Sequence, residues 1–254
     1  MPNAFHGLLR ELESIPTADV PLISWHHKVC FLAVVMEEKP VFALGFDEPV
    51  PPRFIQFLDQ QAPLLRLILK ETPRTPRHFL NRADVSEAVA KAIADRWERA
   101  ENVSQKILWV LKSRKEEERV DKAVRGELPV HELLDYPECC SKAYWDDRAR
   151  AVETYERMLY EQFAPADENA VIEMIESNFQ VEADLPGAER VIKTISSFPF
   201  LSFISCESCL ASDESPAALR NTRLRKMMAV IDPISARKIT LMARTMANFA
   251  EGKR

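Results

Sequence analysis

The chain has 254 residues, 46% of them apolar and 29% charged, with a net charge of −5. That length builds a full hydrophobic core without covalent staples, and the acidic balance implies no broad basic face, which makes nucleic acid a poor default partner. Only five residues are glycine, no two near each other in sequence, which rules out glycine-cradled phosphate loops, dinucleotide fingerprints and the Gly-x-Ser-x-Gly elbow. The longest apolar run, residues 29–36, is far short of the roughly 20 residues of a membrane span. The first fifteen residues lack the basic start and apolar stretch of a secretory signal. A cytoplasmic protein is expected, with a protein partner or a small-molecule substrate, and with neither nucleic acid nor membrane.

Residues 5–15 read as a short amphipathic helix, with Phe5, Leu8, Leu9, Leu12 and Ile15 on one side. Residues 29–36 and 41–46 are β-branched and aromatic, and the four residues between them predict a β-hairpin. Pro49, Pro51 and Pro52 stop the second strand. Residues 54–61 form one or two helical turns, and 64–69 a third strand or a continued helix. A proline-broken linker, 72–76, divides a small N-terminal α/β part (1–76) from a helical part (77–254). Asp84 with Glu87 makes a capping box for a long helix. Its stripe runs through Val85, Val89, Ile93, Trp97 and Val103 to Ile107 and Leu111. Residues 112–122 are almost wholly charged and read as a solvated helix end closed by Gly126 and Pro129. Further helices are expected at 137–163, 170–179 and 187–196. Ser215-Pro216 and Asp232-Pro233 are two helix starts, a capping residue followed by proline. The fold class is α+β, predominantly α-helical.

Five cysteines, Cys30, Cys139, Cys140, Cys206 and Cys209, are not a disulfide framework in a reducing cytosol. Pro137 puts Cys139 and Cys140 in the first turn of a helix, where the positive end of the dipole favours thiolate. Cys206-Glu207-Ser208-Cys209 lets two sulfurs converge on one ion, in what reads as a loop. The leading reading joins Cys139, Cys140, Cys206 and Cys209 into one shared site; the alternative is that the thiols pack as small apolar groups. Structural zinc takes cysteines in pairs two to four residues apart, which adjacent cysteines fit poorly. Three thiolates on a [4Fe–4S] cluster would leave one iron open, and four would make an electron carrier or structural centre. Cys30 sits in an apolar run and reads as core.

The cysteine order resembles the cysteine-rich iron–sulfur domains of the heterodisulfide reductase type, with Ser141 where that pattern has glycine and with longer gaps. A second resemblance covers residues 128–235. Tyr136-Pro137-Glu138-Cys139-Cys140 with the following Tyr144-Trp145, and Cys206-Glu207-Ser208-Cys209 with Ser215-Pro216, are similar to the two motifs of the family catalogued as domain of unknown function 483. That resemblance implies a shared site at these cysteines and no particular reaction.

Glu138 and Glu207, inside the motifs, and His131, eight residues before Cys139, are candidates to support the site or meet a substrate. His26 and His27 diverge if extended and complete no ligand set. Asp146 and Asp147 diverge on a helix and read as solvated. Arg220, Arg223, Arg225 and Lys226 read as a solvated basic face. The leading expectation is an iron–sulfur protein, an enzyme or accessory protein in redox or sulfur chemistry of a biosynthetic pathway. The rivals are a structural-zinc interaction module and a metal-free thiol–disulfide oxidoreductase using Cys206 and Cys209.

Overall fold

The computed structural model describes residues 2–16, 21–45, 51–73, 106–163 and 188–250, with further helical positions at 88, 91–92, 169 and 172–173. Ten helices and a three-stranded antiparallel sheet make it α+β and mostly helical among the described residues. No described helix is long and apolar enough to cross a membrane.

Helix α1 (Pro2–Glu13) buries Leu8, Leu9 and Leu12. Helix α2 (Pro21–Val35) runs through the core, and here the expected hairpin is corrected. Residues 29–35 are apolar on every side and buried on every side. A helix enclosed all round satisfies its own backbone bonds and needs no alternation. Only β1 (Val41–Leu44) of the two expected strands exists.

Helix α3 (Pro52–Leu65) is longer than expected, and strand β2 (Ile68–Pro73) follows at once. The run 64–69 is therefore part helix and part strand. Strand β3 (Lys106–Leu111) lies between β1 and β2 and pairs antiparallel with both. Ile107 and Leu111, expected on a helical stripe, are strand residues. The rest of that stripe, from Asp84 and Glu87 to Val103, falls outside the described residues save for positions 88, 91 and 92. Strand β3 is buried on both faces, as the middle of a covered sheet requires. Leu108 and Val110 join the main core with α2, while Ile107, Trp109 and Leu111 join a second cluster.

That second cluster is covered by α4 (Arg114–Val124), through Val120 and Ala123, and by α5 (Val130–Leu133), through Leu133. Ser113 caps α4, accepting from Glu116 N–H, so the charged segment is a separate helix that follows a strand and not the solvated end of the long helix expected there. It is tied to the sheet as well: Lys70 of β2 bridges to Asp121 at 2.7 Å. Then come α6 (Glu138–Phe163), α7 (Ala188–Ser197), the single turn α8 (Glu207–Leu210), α9 (Pro216–Ile231) and α10 (Pro233–Ala250). The helix expected at 170–179 lies outside the described residues except at 172–173. Both proline starts hold. Ser215 Oγ accepts from Ala218 N–H at 3.2 Å, and the Asp232 carboxylate accepts from Ile234 and Ser235 N–H at 3.1 Å. One main core joins α1, α2 and α3 with α9, α10 and the cysteines.

Four helices end on the same hydrogen-bond pattern. After α2, Glu38 N–H donates to Ala33 O and Glu37 N–H to Val34 O. The ends of α3, α4 and α5 repeat it, with Leu67, Glu127 and Tyr136 in the place of Glu38. Each puts one residue in the left-handed region, the position glycine usually fills. Here only Gly126 is glycine; Glu37, Arg66 and Asp135 occupy the others, with φ of 62°, 55° and 57°.

Candidate metal centre

Helix α6 begins at Glu138, and the Pro137 carbonyl accepts its first bonds, from Cys140 and Ser141 N–H. Cys139 and Cys140 therefore lie in the first turn. Cys206 caps α8, and Cys209 sits three residues on, so both face one side of a single turn. This corrects the loop expected at 206–209. The two turns meet head to head. Cys139 Sγ lies 3.7 Å from Cys209 Sγ, and Cys140 Sγ 3.8 Å from Cys206 Sγ. All four sulfurs lie within 4.8 Å of one another, close enough to hold one metal ion. Cys140, Cys206 and Cys209 are buried, Cys139 is exposed, and all five thiols are free.

The walls of the site are tied down by hydrogen bonds. Cys206 N–H donates to Cys140 Sγ at 3.4 Å, and Ser208 Oγ stands 3.1 Å from Cys206 Sγ. Ser215 Oγ donates to Cys209 O at 2.7 Å, which joins α8 to the start of α9. Ser205 N–H donates to Thr194 Oγ1 of α7. His26 Nε2–H donates to Pro199 O at 3.0 Å. Burial pushes that imidazole down to about 4, so it is neutral. His26 and His27 are helical, not extended as expected, and neither belongs to the thiol cluster; the His27 ring meets Phe42.

The arm entering α6 is clamped from α9. Asp135 accepts two bonds from Arg220, at 3.0 and 2.7 Å, and one from Arg223 at 3.0 Å. Burial works against that charge, yet the guanidinium groups hold the carboxyl below its ordinary range. Arg220 and Arg223 are thus not the solvated face expected of them. Beside them, Tyr136 stacks near Phe203, with ring centroids 4.8 Å apart, and its hydroxyl lies 3.4 Å from Ser202 Oγ. The Cys30 thiol donates to the same Ser202 at 3.2 Å. Cys30 is core, as expected, but on a helix.

The thiol chemistry differs from the expectation at the helix start. Cys139 is exposed as a residue, yet partial desolvation of its thiol lifts it to about 11; burial raises Cys140 as well, and the crowding thiols of Cys209 and Cys206 add to both. Burial also opposes ionisation of Cys206, but the Ser208 hydroxyl and Cys209 N–H outweigh it and bring Cys206 down to about 7. The pull toward thiolate expected at Cys139 and Cys140 falls on Cys206 instead. A divalent cation changes this balance outright, because a coordinating thiol loses its proton.

Glu138 and Glu207 are exposed on the first turns of α6 and α8. His131, on α5, lines a cavity of about 290 Å³ together with Cys140, Tyr144 and Trp145. Asp147, expected in solvent, is buried and paired with Arg190 and Arg150, which ties α6 to α7. The residues missed from sequence are Asp135 and Ser208. Ser208 sits inside the second motif and Asp135 immediately before the first, and their short polar side chains near the cysteines are the only signal. No family model matches this chain, and no curated protein or solved structure does either.

Proposed function

We propose that this chain is a metal-binding interaction module in which Cys139, Cys140, Cys206 and Cys209 hold one tetrahedral ion, zinc before iron, as a closed structural centre. The carrying observation is the sulfur spacing. Four thiolates about 2.3 Å from a zinc ion at the centre of a tetrahedron stand about 3.8 Å apart. Two of the sulfur pairs in the structure stand at 3.7 and 3.8 Å, and all four sulfurs lie within 4.8 Å of one another. A four-iron cluster binds each thiolate to a different iron and holds the sulfurs farther apart, so the spacing supports a single ion. Adjacent cysteines serve because α6 sends them to two different partners across the gap. With four protein ligands the ion has no open position, which supports a structural role over Lewis-acid catalysis. The convergence of both motifs on one cluster also supports kinship with the family catalogued as domain of unknown function 483.

A thiol–disulfide oxidoreductase is the second reading, favoured by the 3.7 Å approach of exposed Cys139 to Cys209. It differs from the sequence expectation, which paired Cys206 with Cys209. Anaerobic purification followed by metal analysis, a visible spectrum and thiol counting separates the readings. The single-ion reading expects one zinc per chain, no colour, and loss of the metal in Cys206→Ser but not in Cys30→Ala. Blue-region absorption with iron and sulfide would restore the iron–sulfur cluster. Metal-free protein whose four thiols oxidise reversibly would establish the oxidoreductase.

A further inference from the structure

The C-terminal helix pair is basic in an acidic chain. Residues 216–250 hold seven Lys and Arg against one acid, Asp232, while the whole chain has net charge −5. Part of that charge is used inside the fold. Arg220 and Arg223 hold Asp135, Lys238 lies over the Trp25 ring, and Asp232 caps α10. Arg225, Arg237 and Arg244 are used for nothing of the kind. All three are exposed and line one open groove of about 430 Å³ between α9 and α10, kept open by Ala229 and Ala236. Among the described residues, none of these guanidinium groups meets a carboxylate. Leu241 lines the same groove and is 67% exposed, and Ile234, one turn before Arg237 on α10, is 75% exposed. An apolar patch rimmed by arginine is the composition of a protein interface.

We propose that this groove docks an acidic amphipathic helix of a partner protein. Arg237 and Arg244 are seven residues apart on α10, two turns or about 10 Å. A helix laid along α10 presents carboxylates at that same interval, where each guanidinium donates two N–H bonds to one carboxylate. Its side chains three and four residues on then cover Leu241 and Ile234, which share the α10 face of Arg237 and Arg244. A phosphate polymer would satisfy the arginines and leave those apolar side chains in water. A second copy of this chain, docked through a two-fold axis, would set arginine against arginine.

The probe is a fluorescein-labelled synthetic peptide of about 15 residues, with Glu at every seventh position and Leu on the adjoining face. It is titrated into the metal-loaded full chain near physiological salt and followed by anisotropy. Saturable binding is expected, weakened about tenfold or more by Arg237→Glu with Arg244→Glu, and also by Leu241→Ala. The charge-reversed protein is expected to recover binding to a peptide carrying Lys in place of Glu. Metal content and melting point of each variant, unchanged from the parent, separate lost docking from a damaged fold. The proposal is overturned by equal binding of a scrambled peptide, by tighter binding of an oligouridine RNA, by a dimer that Arg237→Glu dissolves, or by no binding at all.

Discussion

His26 is a titratable side chain held where charge is penalised. Its Nε2–H is spent on Pro199 O, and burial keeps its pKa at about 4, below the ordinary 6.5. Between those values the unfolded chain binds a proton that the folded chain refuses, so stability rises with pH across the interval. The contribution is intact above pH 6.5 and is lost as pH falls toward 4, by roughly 2–3 kcal/mol. His26→Gln keeps an N–H donor that does not titrate, and it is expected to flatten this part of the curve. Denaturant melts of both proteins between pH 4 and 7 check it. Parallel curves would assign the loss elsewhere, as to thiolates that release their metal in acid. The thiols were legible in the sequence because cysteine is rare and the spacings carry coordination chemistry. The partner of His26 was not, since Pro199 lies 173 residues away and offers only a carbonyl. Separations of 85 and 88 residues likewise hid the grip of Arg220 and Arg223 on Asp135.

Among the elements, helix ends bear the cost of scarce glycine. A non-glycine residue in the left-handed region gives up about 1–2 kcal/mol, and Glu37, Arg66 and Asp135 all sit there. Arg66 is exposed, so Arg66→Gly relieves that strain and loses little else. After the extra freedom glycine gives the unfolded chain, a gain of about 0.5–1 kcal/mol is expected. Asp135→Gly relieves the same strain but abandons Arg220 and Arg223 in a partly buried setting. It is expected to destabilise by about 1–3 kcal/mol and to weaken metal binding, because the arm entering α6 is released. Thermal melts and zinc competition on the two variants test the pair; a stabilised Asp135→Gly would mean the clamp adds nothing. Caps and proline starts were readable, as Ser215 and Asp232 show, because a cap is chemistry within four residues. The type of a short apolar run was not. Residues 29–35 are helix and 107–111 strand, both buried on all sides, and burial without alternation carries no period to read.

At the scale of the whole molecule, three of the four metal-site sulfurs belong to the same core as α1, α2, α3, α9 and α10. An ion held there is coupled to folding. A ligand that binds only the native state adds about 4 kcal/mol when its free concentration is a thousandfold above Kd. For a chain of this size, and for the zinc ion proposed above, that corresponds to a fall of about 10 °C in Tm on chelation, reversed by adding zinc back. The loss should not be uniform. The first turn of α6 and the stretch from 198 to 210 meet through the thiols, so their amides are expected to lose exchange protection first. Strand β3 is the opposite case. It bonds to a strand on either side and is buried by one cluster on each face, the second of which contains none of the four thiols. Its amides are expected to stay the slowest after chelation. Hydrogen exchange on the chelated and reloaded chain distinguishes three outcomes. Local loss with β3 intact makes the ion a clamp between two turns; loss everywhere, β3 included, makes it a condition of folding; and an unmoved Tm with the zinc gone removes the ion from the account of stability altogether.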